Sequence, residues 1–196
     1  MALITMPTSP AFQSSNFGIR RAVGVSESPF TGSQQVQVYP KAQWFATLTL
    51  PTMSKTQARE WVNFFVLCEG RRNTFLLSDP DYKSINGTAT TAAVAANKDT
   101  GTTVVNLTIG TGKTLNKGSY IQFGTGASSR LHMVVDDNTS NGNVSIQPPL
   151  KDPITTTTTV TIASPVGLFR MDSNELAWDA DHLSRFGVSF SCSEAL

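Results

Sequence analysis

Residues 44–50, WFATLTL, alternate strictly, with Trp44, Ala46, Leu48 and Leu50 on one side and Phe45, Thr47 and Thr49 on the other. A period of two marks a half-buried strand, and Pro51 ends it. The period then changes. Ser54 with Gln57 three positions on is a capping-box pattern that predicts a helix starting at Lys55. Ala58, Trp61, Val62, Phe65 and Cys68 follow the i, i+3, i+4, i+7 spacing, and Phe64, Val66 and Leu67 widen the apolar stripe. Gly70 takes a positive φ at little cost and predicts the stop. Thr74–Leu77 reads as a short strand closed by an Asp79-Pro-Asp81 turn. No other segment keeps a helical period over three turns. The pattern therefore predicts a β domain with one helix lying on its sheet, where each large side chain such as Trp61 or Phe65 contributes roughly 1.5–3 kcal/mol by burial.

On the N-terminal side, residues 35–39 (QVQVY) alternate and stop at Pro40, which predicts a hairpin with residues 44–50 through a turn at 40–43. Residues 20–25 read as a short strand, and 28–32 (SPFTG) as turn chemistry. Residues 1–19 are rich in Pro, Ser and Thr without periodicity, the pattern of an arm ordered only where a neighbour holds it.

The composition shifts after residue 83. The 81 residues from 84 to 164 hold nine charges, no Trp, and only Tyr120 and Phe123 as aromatics. Short β runs at 103–109, 119–123, 131–135, 143–147 and 157–162 predict a small barrel or sandwich, with 87–102 as a loose entry strand and loop. From Val166 the larger, aromatic character returns. Gly167–Met171 and residues 185–193 read as strands, the latter with Phe186, Val188, Phe190 and Cys192 on one face. A closing strand this late completes the domain begun near the N-terminus, because an isolated hairpin has no core. The expected organisation is an arm (1–19), a discontinuous domain (20–83 plus 165–196) and an all-β insertion (84–164), since insertions at exposed turns are thermodynamically cheap. The expected core comprises Trp44, Leu48, Trp61, Phe65, Phe75, Phe186 and Phe190.

Charge narrows the function classes. Only 15% of residues are charged, against about 25% in typical domains, and a net charge of +1 argues against a dedicated nucleic-acid surface. The two cysteines, Cys68 and Cys192, sit in apolar patterns and read as buried thiols, with a disulfide left open. No run of 18 apolar residues occurs, so no membrane insertion is expected, and the N-terminus lacks the features of a secretory signal.

Candidate chemistry is sparse, and no catalytic set, metal site or cofactor is expected. Gly110-Thr-Gly-Lys-Thr114 resembles the end of a phosphate-binding loop, but Leu107 stands where that loop needs its first glycine, and no helix follows. A turn is the better account. His132 and His182 have no partner at metal-ligand spacing. Ser128 and Ser129 are the nearest nucleophile candidates, without a nucleophile elbow. Carboxylates at Asp172, Asp179 and Asp181 offer oxygen ligands for calcium, though turns explain them more simply. Arg71 and Arg72 form a corner after the helix, either solvated or in contact with a neighbouring subunit.

A strand ending in LTLP, a helix ending in Gly, a TFLLSDP strand and a terminal FGVSFSCSEAL strand together resemble the distal tail and minor tail-tip proteins of long-tailed bacteriophages. The resemblance covers residues 28–81 and 165–196 and rests on packing residues. It implies a mainly β, tail-tube-like sandwich with one flanking helix, carrying an inserted small β domain. It also implies a structural virion protein, a homo-hexameric ring at the distal end of the tail tube. Its partners would be the tube protein and the hub or tip proteins of the baseplate, with DNA only as passing cargo. The alternative is a module binding host-surface glycans through the insertion, and a weaker third reading is a hydrolase on a β scaffold.

Overall fold

The computed structural model of the protein describes residues 1–180 and 186–196. Before the helix, the chain forms β1 (Leu3–Ile4), β2 (Ser14–Glu27) and β3 (Gln34–Thr49). Residues 35–39 and 44–50 are therefore not the two arms of a hairpin. They belong mostly to one strand, and the hairpin lies between β2 and β3, turning through residues 28–33. Pro40 does not break β3 because it falls where the pairing slips, between the Arg21↔Ala42 and Val23↔Val38 partners. An irregularity of this kind absorbs a residue that cannot donate to the ladder. The short strand expected at 20–25 is accordingly a 14-residue strand.

Helix α1 (Lys55–Cys68) starts and stops where the sequence places it. The Gln57 side-chain oxygen accepts from both the backbone N–H and the hydroxyl of Ser54, at 3.2 and 3.0 Å. At the other end Glu69 and Gly70 both take the left-handed conformation, φ 49° and 62°. A Cβ at Gly70 would lie 2.9 Å from Asn174 Cα, so that position excludes a side chain. The buried stripe is narrower than expected. Ala58, Trp61, Phe64, Phe65 and Cys68 are buried, whereas Val66 (62% exposed) and Leu67 face solvent.

β4 (Thr74–Leu77) follows, and then the region between the two aromatic segments forms β5 (Ala92–Val94), β6 (Val104–Thr108), β7 (Tyr120–Phe123), β8 (Arg130–Val134), β9 (Gly142–Gln147) and β10 (Thr159–Thr161). These six close into a barrel in the order β10-β5-β6-β9-β8-β7. Its core contains Val105, Leu107, Ile121, Val144 and Ile146. The loose segment at 87–102 supplies β5, so closure uses a strand whose own pattern is weak.

The chain returns through β11 (Gly167–Met171), β12 (Asp179–Ala180), β13 (Phe186–Gly187) and β14 (Ser189–Glu194). β14 pairs antiparallel with β3 (Phe190↔Leu48, Cys192↔Ala46) and with β11. The C-terminal strand thus completes the sheet begun near the N-terminus, in the order β1-β4-β11-β14-β3-β2. This sheet is mixed, because β1 runs parallel to β4. The expected strand at 185–193 is in fact two, β13 and β14, and its first residue, Arg185, lies outside the described residues.

One face of the sheet carries the core: Trp44, Leu48, Trp61, Phe65, Phe75 and Phe190 meet in a single cluster, with Phe186 half-buried against it. The opposite face is wet. There Thr47 and Ser191, and Thr49 and Ser189, join hydroxyls across the strands at 3.0 and 3.2 Å, the alternation of a sheet with one covered side. Residues 1–19 fold back onto their own chain. Ile4 and Phe12 pack on the core cluster, the Trp61 Nε1–H donates to the Ser9 carbonyl at 3.2 Å, and the Phe12 ring lies 5.7 Å from that of Trp61. Apolar residues spaced too irregularly to show a period still bury well.

Candidate assembly surface and the barrel–sheet junction

The ribbon made by β2 and β3 outruns the rest of its sheet. β14 pairs with β3 only from Phe45 to Thr49, so residues 34–41 of β3 have β2 alone as a partner. Cross-strand pairs Val23↔Val38 and Val25↔Val36 lie on one face of this ribbon, and all four valines are exposed. Phe30, in the connecting turn, is 95% exposed. A two-stranded ribbon is at best marginally stable alone. This one presents an apolar face to water.

The barrel is joined to the sheet by polar contacts between residues far apart in the sequence. The Trp44 Nε1–H donates to the Leu131 carbonyl at 2.7 Å, and the Tyr120 hydroxyl to Asp79 Oδ2 at 3.0 Å. The Arg130 guanidinium binds Asp152 at 2.7 Å and the Ala195 carbonyl at 3.0 Å. At the centre lies Glu194, 2% exposed. Its Oε2 accepts from the Trp44 backbone N–H at 3.2 Å and from the Lys151 ammonium, while Oε1 is buried without a partner. Burial pushes the Glu194 carboxyl above its ordinary range and the Lys151 amine below its own, and the attraction between the two opposes both shifts. A signal for Glu194 did exist. The alternation Val188, Phe190, Cys192 points inward, and Glu194 continues it, which puts a carboxylate at a core position.

The remaining candidates are scattered. His132 is buried at the barrel wall and its Nδ1–H donates to the Pro148 carbonyl at 2.7 Å. That leaves Nε2 as an acceptor without a partner, so neither ring nitrogen reaches Ser128, whose hydroxyl donates to the Thr125 carbonyl at 2.8 Å. Ser129 is buried and accepts from Gln122 at 3.0 Å. Gly110 and Gly112 take positive φ in a tight turn closed by the Lys113 N–H on the Gly110 carbonyl. Among the described residues no group of three His, Cys, Asp or Glu is placed to hold a metal; Asp172 accepts from Ser193 at 2.6 Å, and Asp181 and His182 lie outside the described residues. Cys68 and Cys192 are buried free thiols, and burial pushes Cys68 up to about 11. No helix is long and apolar enough to cross a membrane, among the described residues. Arg71 and Arg72 stand at the exposed corner after α1. Arg72 pairs with Glu69 at 2.5 Å, and the Arg71 backbone N–H donates to Asn174 Oδ1 at 3.1 Å. In the barrel Phe123 is buried, and Tyr120 packs edge-on against Trp44 and Tyr82, so neither ring offers a flat platform to a sugar.

The His132 environment sets a pH dependence. Burial holds the imidazole down at about 4, against about 6.5 in an unfolded chain. As pH falls from 6.5 to 4 the unfolded chain takes up a proton that the folded chain refuses, so stability drops, by up to about 3 kcal/mol. Urea unfolding of the wild type and of His132→Asn, which retains a donor for the Pro148 carbonyl, is expected to show a steeper loss in the wild type across that window. Equal slopes would refute it. The chain matches no known family model and no curated protein.

Proposed function

We propose that the protein is a structural subunit of a phage tail. Copies of it form a ring, six-membered as in the family it resembles, at the distal end of the tail tube. In this reading the sheet and α1 are the tail-tube-like wall of the ring, with the barrel carried outside it. The ring joins the tube to the tip or baseplate and leaves a passage for DNA. The observation that carries the reading is the free β2–β3 ribbon with Val23, Val25, Val36, Val38 and Phe30 exposed. A chain with little charge and an apolar ribbon face hides that face by binding copies of itself.

Light scattering on the purified chain is expected to give a closed oligomer, and electron microscopy a ring. Replacing Val25 and Val38 by Ser, at positions already exposed, is expected to dissociate it while leaving the monomer folded. A wild-type chain that stays monomeric at high concentration removes the reading. A monomer whose thermal midpoint rises on adding oligosaccharide favours the glycan module instead.

A further inference from the structure

The ribbon tip and a groove beside α1 are complementary and lie at opposite ends of the molecule. The groove, about 470 Å³, is lined by apolar Val62, Val66, Trp178 and Phe186 and by cationic Lys55 and Arg59. It sits at the end of β3 from which α1 departs, since Phe186 bridges to Met53 just after that strand. Phe30 sits at the other end, in the turn that precedes β3. The strand between them, Gln34–Thr49, is extended over 16 residues, roughly 50 Å at about 3.3 Å per residue. A tip cannot fold back across that length to reach its own groove.

We propose that Phe30 of one copy seats in the groove beside α1 of the next, so that chains join head to tail. This rests on the ring reading above and names the two surfaces that meet. Four features support a second copy as the occupant. The tip offers a single large ring, 95% exposed, on a protruding turn. The groove offers apolar walls with ample room for such a ring, including the exposed faces of Val66 and Trp178. The only charge on residues 24–37 is Glu27, and the charged residues lining the groove, Lys55 and Arg59, are cationic; such complementarity sets orientation more than affinity. The tip and groove are different surfaces, so the contact is heterologous, the kind that propagates around a ring when its rotation closes. The apolar face of Val23, Val25, Val36 and Val38 would extend the same contact along the ribbon.

The test uses the full-length chain. Thr31→Cys and Asn63→Cys are made separately, placing one thiol beside Phe30 and one at the groove. The native Cys68 and Cys192 are buried and stay unreactive in the folded protein. A short bismaleimide added to a mixture of the two variants is expected to give covalent dimers that neither variant gives alone. Phe30→Ser is expected to weaken self-association about tenfold or more with an unchanged monomer unfolding midpoint. Oligomers without the mixed cross-link, or Thr31→Cys cross-linking to itself, would overturn the tip-to-groove contact while leaving the ring reading intact. A wild-type chain that is monomeric by light scattering would overturn both.

Discussion

Lys151→Met is expected to cost about 3–5 kcal/mol of folding stability, because it leaves the Glu194 carboxylate buried without its cation. Equilibrium urea unfolding at pH 7.5 measures it. The loss comes from desolvation: Glu194 Oε1 already lacks a partner, and without Lys151 the remaining oxygen keeps only the Trp44 N–H. The pH dependence has a definite sign. Burial raises the Glu194 carboxyl above its unfolded value, and removing Lys151 raises it further. For such a group the stabilising contribution is fully present below the unfolded pKa and disappears as pH rises through the folded one. The deficit of Lys151→Met is therefore expected to shrink on acidification toward pH 4 and to be largest above neutrality. The double variant Lys151→Met/Glu194→Gln removes both charges and keeps an acceptor for the Trp44 N–H. It is expected to recover most of the loss, as replacing a buried ion pair by neutral groups often does. A single variant within 1 kcal/mol of the wild type would show that water reaches the junction.

Trp61→Ala is expected to cost a similar 3–5 kcal/mol, with a second, local consequence. The indole is buried under Phe12, Phe65 and Phe190 and donates to the Ser9 carbonyl. It anchors Ser9 and Phe12, whereas residues 2–4 are tied separately to β4 and Asn73. Its loss opens a cavity in the core and releases the stretch between β1 and β2, so limited proteolysis is expected to cut within residues 5–13 well before the body of the variant unfolds. Val66→Ala, five residues further along the same helix but 62% exposed, is expected to change stability by less than about 0.5 kcal/mol. If the two substitutions cost the same, the helix does not use the face assigned to it. In an assembled ring the order could differ in one respect only: Val66 would then matter to association, which sizing at several concentrations separates from folding.

Both effects arise where the chain brings distant residues together, and this divides what was readable from what was not. The helix at Lys55, its capping by Ser54 and Gln57, its stop at Gly70, and β4 and β11 are consequences of spacing among near neighbours, and the sequence alone determined them. So did the inward face of Val188, Phe190 and Cys192 and the change of character at residues 84–164, where the barrel strands lie. The joining of Gln34 to Thr49 in one strand was not readable. Pro40 signals a stop, and only the slipped pairing with β2 gives it a place without a ladder bond. The docking of residues 1–13 is likewise absent from any local pattern, since Ile4 and Phe12 follow no period, and one is held by pairing with β4 and the other by packing on Trp61. Glu194 and Lys151 are 43 residues apart, and nothing near either one names the other. Periodicity is a property of adjacent residues and fixes which way a side chain faces. What it faces depends on which strands pair, and that choice is made by closing the barrel and by returning the C-terminal strand to the sheet, where packing and burial across the whole chain decide it.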